Sequence, residues 1–124
     1  MRSERIIIID DSSKSIQRTT SALREIGFDN VSQYFSAAEF LESTVVELDI
    51  NLIISDIVMP GVTGIELAQE LKSQGRGEVK ILLMSIEKSF DYIEHDLGIP
   101  YMHKPYRALQ FIRAIQAKVQ EILG

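Results

Sequence analysis

No cysteine occurs in the 124 residues, which excludes disulfides and thiolate metal sites. No apolar stretch approaches the roughly 18 residues of a membrane-spanning helix. Met1 to Arg5 leads straight into a short strand-like run, unlike a signal peptide. A cytoplasmic location without membrane insertion is therefore expected. A basic excess is also missing. With a net charge of -5 the chain has no stripe of Lys and Arg to neutralise a phosphate backbone, so direct nucleic-acid binding is not expected and partners should be proteins. No Gly-rich phosphate loop follows the first apolar run, as a nucleotide or flavin binder would need. What remains, 45% apolar and 25% charged residues, is ordinary for a globular protein. The length suits one domain with one core.

Short apolar runs alternate with segments of helical period, the pattern of repeated strand-helix units that builds a parallel sheet with helices on both faces. Five units are readable. The first strand, about Arg5 to Ile9, precedes a helix from about Ser13 to Ile26, with Ile16, Thr19, Leu23 and Ile26 on one face and Gly27 placed to end it. A second strand, about Asn30 to Tyr34, leads to a helix opened by Ser36 and Glu39 as a capping box, with Phe40, Leu41 and Val45 inward. The third strand, about Asp49 to Ser55, is apolar through Leu52-Ile53-Ile54 and should be central. Thr63 and Glu66 form a second capping-box pattern before a helix carrying Ile65, Ala68 and Leu71. The fourth strand is about Lys80 to Met84, followed by a weak helix, about Lys88 to His95, and a last strand, Tyr101 to His103. The closing helix should bury Ala108, Ile112, Ile115, Val119 and Ile122.

Four of the apolar runs end on polar groups: Asp10-Asp11, Ser55-Asp56, Ser85 and Lys104-Pro105. In an open parallel sheet ligands bind outside the carboxyl ends of the strands, so these residues should share one rim. Adjacent carboxylates repel unless a cation compensates them, and Mg2+ takes hard oxygen ligands of this kind. Asp11 and Asp56 can supply two ligands and the Val58 carbonyl a third, with Asp10 acting through water. Capping of the first helix would account for only one of Asp10 and Asp11. Asp56, on a turn of constrained and permissive residues from Ile57 to Gly61, can attack phosphorus to form an aspartyl phosphate. Lys104 and Ser85 would then neutralise the phosphoryl oxygens with the cation.

As an ordered set, Ile6 to Asp11, Ser55 to Gly61, Gly64, Ser85 and Lys104-Pro105 resemble the receiver domains of two-component response regulators, including the single-domain receivers of chemotaxis. The resemblance takes in residues 1–124 as a single receiver domain. It implies a doubly wound, five-stranded, flavodoxin-like α/β fold of strand order 2-1-3-4-5. It also implies that Asp56 accepts a phosphoryl group from a histidine kinase phosphohistidine in a magnesium-dependent reaction. Asp10 and Asp11 would be the acidic magnesium pair, Lys104 the phosphate-pairing lysine, Ser85 the switch hydroxyl and Tyr101 the switch aromatic. The implied partners are a histidine kinase or histidine phosphotransfer protein, an unspecified downstream effector and, on phosphorylation, a second copy of the chain. Such a domain catalyses only its own phosphorylation and dephosphorylation. The family usually has a cis bond at the position of Lys104-Pro105. Its output surface, formed by the fourth helix, fifth strand and fifth helix, would here include Phe111 beside Tyr106.

The chain also departs from the family. Ile86 follows Ser85, where a small residue is usual, and should hinder attacking water and slow dephosphorylation. The interval from Ser85 to Lys104 is a few residues short, so the fourth helix should be short or irregular. His95 and His103 read as solvated or satisfied histidines. Alternatives stay open: a receiver excised from a larger regulator or hybrid kinase and acting as a phosphorelay intermediate, although Met1 so near the first strand favours a natural start. An aspartate-nucleophile phosphatase of the haloacid dehalogenase type is the enzyme alternative. That type needs a second aspartate where Val58 stands, and a cap insertion.

Overall fold

A computed structural model of the chain describes residues 2–43 and 49–124. The elements follow in the order β1 (Ile6–Ile9), α1 (Ser13–Glu25), β2 (Val31–Tyr34), α2 (Ala37–Glu42), β3 (Leu52–Asp56), α3 (Gly64–Ser73), β4 (Lys80–Ser85), α4 (Ile93–Leu97), β5 (Tyr101–His103) and α5 (Ala108–Leu123). A single 3-10 turn, Lys88–Phe90, precedes α4. The strands form one parallel sheet in the order β2-β1-β3-β4-β5.

The four isoleucines of β1 are fully buried because the strand has neighbours on both sides and helices on both faces. Ile6 and Ile8 join Leu23, Leu52, Ile54 and Ile115 in the layer under α1 and α5. Ile7 and Ile9 join Phe40, Ile53, Leu67 and Leu71 in the layer under α2 and α3. A third cluster, Ile57, Leu83, Ile93 and Tyr101, sits beneath α4. β1 and β3 begin slightly later than the sequence pattern predicts. The Asn51 carboxamide accepts from the Arg5 amide at 2.8 Å and so takes the place of a ladder partner.

The helix starts follow the predicted chemistry. Thr63 and Glu66 complete a capping box at 3.0 and 3.1 Å. At Ser36 one half of the box is present, the hydroxyl accepting from the Glu39 amide. Ser12 caps α1 by accepting from the Ser15 amide, so neither Asp10 nor Asp11 serves as its cap. Other expectations are corrected. Phe111 is 2% exposed and lies in the core with Ile115 and Val119, while Ala108 is exposed. The buried row of α5 follows the four-residue ridge that packs against α1, which turns Phe111 inward. In α3 the buried residues are Gly64, Leu67 and Leu71, with Ile65 directed to the third cluster. Among the described residues there is no cis peptide bond, so Lys104-Pro105 is trans, the isomer an X-Pro bond favours when nothing opposes it. Val45 lies outside the described residues.

Candidate functional site

Register brings the carboxyl ends of the strands together. Ile9 pairs with Ser55, Asp56 with Met84, and Ser85 with His103, so the residues that end β1, β3, β4 and β5 form one rim. Carboxylate oxygens of Asp10, Asp11 and Asp56 lie within 4.8 Å of one another. Asp10 is fully buried. One of its oxygens accepts from the Ser12 amide at 3.0 Å, and the other from the Lys104 ammonium at 2.9 Å. The same ammonium lies 3.4 Å from Asp56 Oδ1. Lys104 itself is 8% exposed, and its amide donates to the Ser85 carbonyl at 2.8 Å, which ties its stem to the end of β4.

Three carboxylates and one ammonium leave this group two negative charges in excess at neutral pH. Burial, first, and the neighbouring Asp10 and Asp11 push the Asp56 carboxyl up to about 6, against the lowering pull of Lys104. A divalent cation would balance the excess, and the all-oxygen donor set fits a hard ion such as Mg2+. The group opens into a cleft of ≈ 560 Å³ whose walls include Asp11, Asp56, Val58, Ser85, Ile86 and Lys104. Ile86 is 74% exposed at its edge.

Ser85 is buried at the end of β4, and its hydroxyl accepts from the Glu87 amide at 2.9 Å, turned toward its own loop. Tyr101 stands apart from the carboxylates. Its ring is buried in the third cluster, and its hydroxyl donates to the Glu87 carbonyl at 3.2 Å. Burial, and then Asp91, raise the pKa of that hydroxyl above its ordinary value. Asp10, Asp11, Asp56 and Lys104 are thus in one group, with Ser85 and Val58 in the cleft wall and Tyr101 outside it. His95 is solvent-exposed beside Asp96, while His103 is hydrogen-bonded to the Ile86 carbonyl.

The structure gives the Gly64 of the motif set a steric reason and adds contributors along α1 that carried no usable sequence signal. A Cβ on Gly64 would come within 2.5 Å of the Asp56 carbonyl oxygen and 3.1 Å of Ile57 Cα, so only glycine lets the start of α3 approach so closely behind Asp56. Lys14, Ser15 and Arg18 extend the cleft along α1, and the Ser15 hydroxyl is buried there without a hydrogen-bond partner among the described residues. Polar residues on an amphipathic helix mark such positions only weakly.

Comparison with known proteins agrees with this geometry. The family profile described as the response regulator receiver domain matches residues 6–116. The transcriptional regulatory protein FixJ of Azorhizobium caulinodans is 28% identical over 115 residues, covering 90% of this chain and 53% of that protein. The regulatory protein VanR of Enterococcus faecium is 28% identical over 120 residues, covering 95% of this chain and 51% of its own. The chain spans about half the length of the curated relatives it matches. Among solved structures, the phosphorylated cyanobacterial phytochrome response regulator RcpA superposes with a TM-score of 0.83 at 19% identity, covering 99% of this chain and 96% of that one. Vibrio cholerae chemotaxis protein CheY4 does so at 0.75 with 21% identity, covering 98% and 99%. These likenesses, the strand order and the grouped strand-end residues converge: the chain belongs to the response regulator receiver domain family, a family of signalling domains in two-component systems.

Proposed function

We propose that the described fold acts as a single receiver domain, spanning 1–124, that takes a phosphoryl group onto Asp56. The donor is the phosphohistidine of a histidine kinase or a histidine phosphotransfer protein. The observation that carries this reading is the buried Lys104 ammonium, 2.9 Å from Asp10 and 3.4 Å from Asp56, set among carboxylates that still outnumber it. Such a site is short of positive charge and open to a cleft, as an acceptor of a metal-bound phosphoryl group should be.

Asp10, Asp11, Asp56 and the Val58 carbonyl would hold Mg2+, which when bound supplies charge neutralisation to the transferring phosphoryl group. The chain's own residues do the rest. Above pH 6 the Asp56 carboxylate is largely ionised, and it attacks phosphorus as the phosphorus–nitrogen bond breaks. The phosphorylated ring nitrogen of the donor keeps the electron pair and, with the donor's other ring nitrogen already protonated, the group leaves as neutral imidazole. Lys104 holds the developing phosphoryl oxygens in place, and Ser85 supplies a hydroxyl donor once it leaves the Glu87 amide. Tyr101 is tied to the same residue, through the Glu87 carbonyl, so a move of that loop frees its ring. The product adds about 1.5 to 2 negative charges and biases the surface of α4, β5 and α5 toward an effector protein or a second copy of the chain. Among the described residues no helix is long and apolar enough to cross a membrane, and a cytoplasmic site of action fits this reading.

Incubation with Mg2+ and acetyl phosphate, followed by intact-mass measurement, tests the proposal. Wild type should gain one phosphoryl group, and Asp56→Asn or wild type in EDTA should gain none. A gain that persists in Asp56→Asn overturns the assignment.

A further inference from the structure

The loop after β4 is fastened to the edge strand at three consecutive carbonyls. Ser85 O accepts from the Lys104 amide at 2.8 Å, Ile86 O from His103 Nε2 at 2.9 Å, and Glu87 O from the Tyr101 hydroxyl at 3.2 Å. The first bond is backbone pairing, and the third belongs to the switch aromatic already described. The second has no part in the chemistry above. His103 lies on the same face of β5 as Tyr101, two residues on, and is the register partner of Ser85, so the strand itself aims its ring at the loop. Because a carbonyl only accepts, Nε2 must carry a proton. The neutral tautomer and the imidazolium both satisfy this, so the contact does not depend on charge.

In this arrangement the Ser85 hydroxyl is engaged by the Glu87 amide, the N–H of the same peptide whose carbonyl His103 holds. For the hydroxyl to reach a phosphoryl group on Asp56 it must give up the Glu87 amide, which belongs to the peptide that His103 holds. We propose that His103 is a positioning residue that latches the Ile86 carbonyl and so holds the loop after β4 in its unphosphorylated arrangement, setting the resting bias of the switch. The inference rests on the phosphoacceptor reading above. It assigns to His103 a function distinct from that of Tyr101: the tyrosine responds to loop movement, whereas the histidine resists it.

A ligand that binds one of two states is weakened by the fraction of molecules in the other, so releasing a latch tightens binding. One hydrogen bond of ordinary net strength corresponds to about a two- to tenfold effect. The probe is the fluoroberyllate ion, which activates the receiver domain of DrrB in one related structure, supplied here together with Mg2+. Its affinity is measured for wild type, His103→Leu and His103→Gln by titration of backbone amide resonances. His103→Leu should bind about two- to tenfold more tightly. Its Glu87 amide resonance, without ligand, should already be displaced toward the bound position. His103→Gln, whose carboxamide can donate to the same carbonyl, should stay within twofold of wild type. Equal or weaker binding by His103→Leu overturns the latch, as does a glutamine variant that behaves like the leucine one. Failure of wild type to bind fluoroberyllate and to gain a phosphoryl group overturns the phosphoacceptor reading and the latch together, which separates the two failures.

Discussion

Replacing Asp56 by asparagine should stabilise the fold at neutral pH while abolishing phosphorylation. The carboxyl is raised from 3.8 to about 6, chiefly by burial and then by Asp10 and Asp11. A carboxyl whose folded pKa lies above its unfolded value contributes no penalty below about pH 4, where both states hold the proton. The penalty grows as pH rises through the window from about 4 to 6, and it is complete above that. Two units at about 1.4 kcal/mol each set a ceiling of about 3 kcal/mol. The net shift already contains the attraction of Lys104 at 3.4 Å, and because the cleft admits solvent about 1–2 kcal/mol should remain. The assay is urea unfolding of wild type and Asp56→Asn in EDTA at pH 4.5 and pH 7.5. At a slope of roughly 1–3 kcal/mol/M the variant's midpoint should lie about 0.5–1 M higher at pH 7.5 and close to wild type at pH 4.5. Adding Mg2+ at pH 7.5 should narrow the gap, since an ion bound to the folded state alone stabilises it by about 2.7 kcal/mol at a hundred times its dissociation constant. A variant no more stable than wild type at pH 7.5, or a gap equal at the two pH values, would refute the electrostatic account.

Three other perturbations probe the parts around Asp56. Lys104→Met leaves the fully buried Asp10 carboxylate without its cation, and should destabilise the protein by about 3 kcal/mol at pH 7.5 in EDTA, read from the urea midpoint. Gly64→Ala forces a methyl group against the Asp56 carbonyl, and should lower stability by about 2 kcal/mol or more and slow phosphorylation by acetyl phosphate, measured by melting and intact mass. Ile86→Ala strips the exposed side chain at the cleft edge, and should shorten the phosphoryl half-life about threefold or more; equal half-lives would remove Ile86 as a barrier to water.

The strand-end residues were legible in the sequence because a buried parallel strand is a continuous apolar run, and the polar residues within two positions of its end mark the rim. That logic placed Asp10, Asp11, Asp56, Ser85 and Lys104 without any knowledge of side-chain contacts. Where the reading failed, the deciding quantity was a packing angle or a rotamer. Phe111 reads as peripheral when the α5 stripe is drawn in steps of four and three, yet the helix lies on α1 along a row of fours, and the stripe shifts by one position. The engagement of Ser85 by the Glu87 amide is a rotamer choice that no sequence pattern encodes.

The fourth-helix region shows how a short segment can still be held against β5 and α5. A five-residue α4 is too short to be stable by itself, and a left-handed Gly98 closes it at once. It is held by side chains instead. Glu94 accepts from the outward-facing Tyr101 amide of the edge strand at 2.9 Å and pairs with Lys118 of α5, so one carboxylate joins α4, β5 and α5. The Lys118 hydrogen bond, followed by that from the Tyr101 amide, lowers the Glu94 pKa. The join is therefore intact at neutral pH and weakens only as the carboxylate gains a proton in acid. The same carboxylate satisfies an edge-strand amide that would otherwise be open to another strand. In this chain the geometry of the α4, β5 and α5 surface thus depends on a carboxylate clamp more than on helix length. Under the proposed function, any movement of Tyr101 carries with it the backbone amide that Glu94 holds.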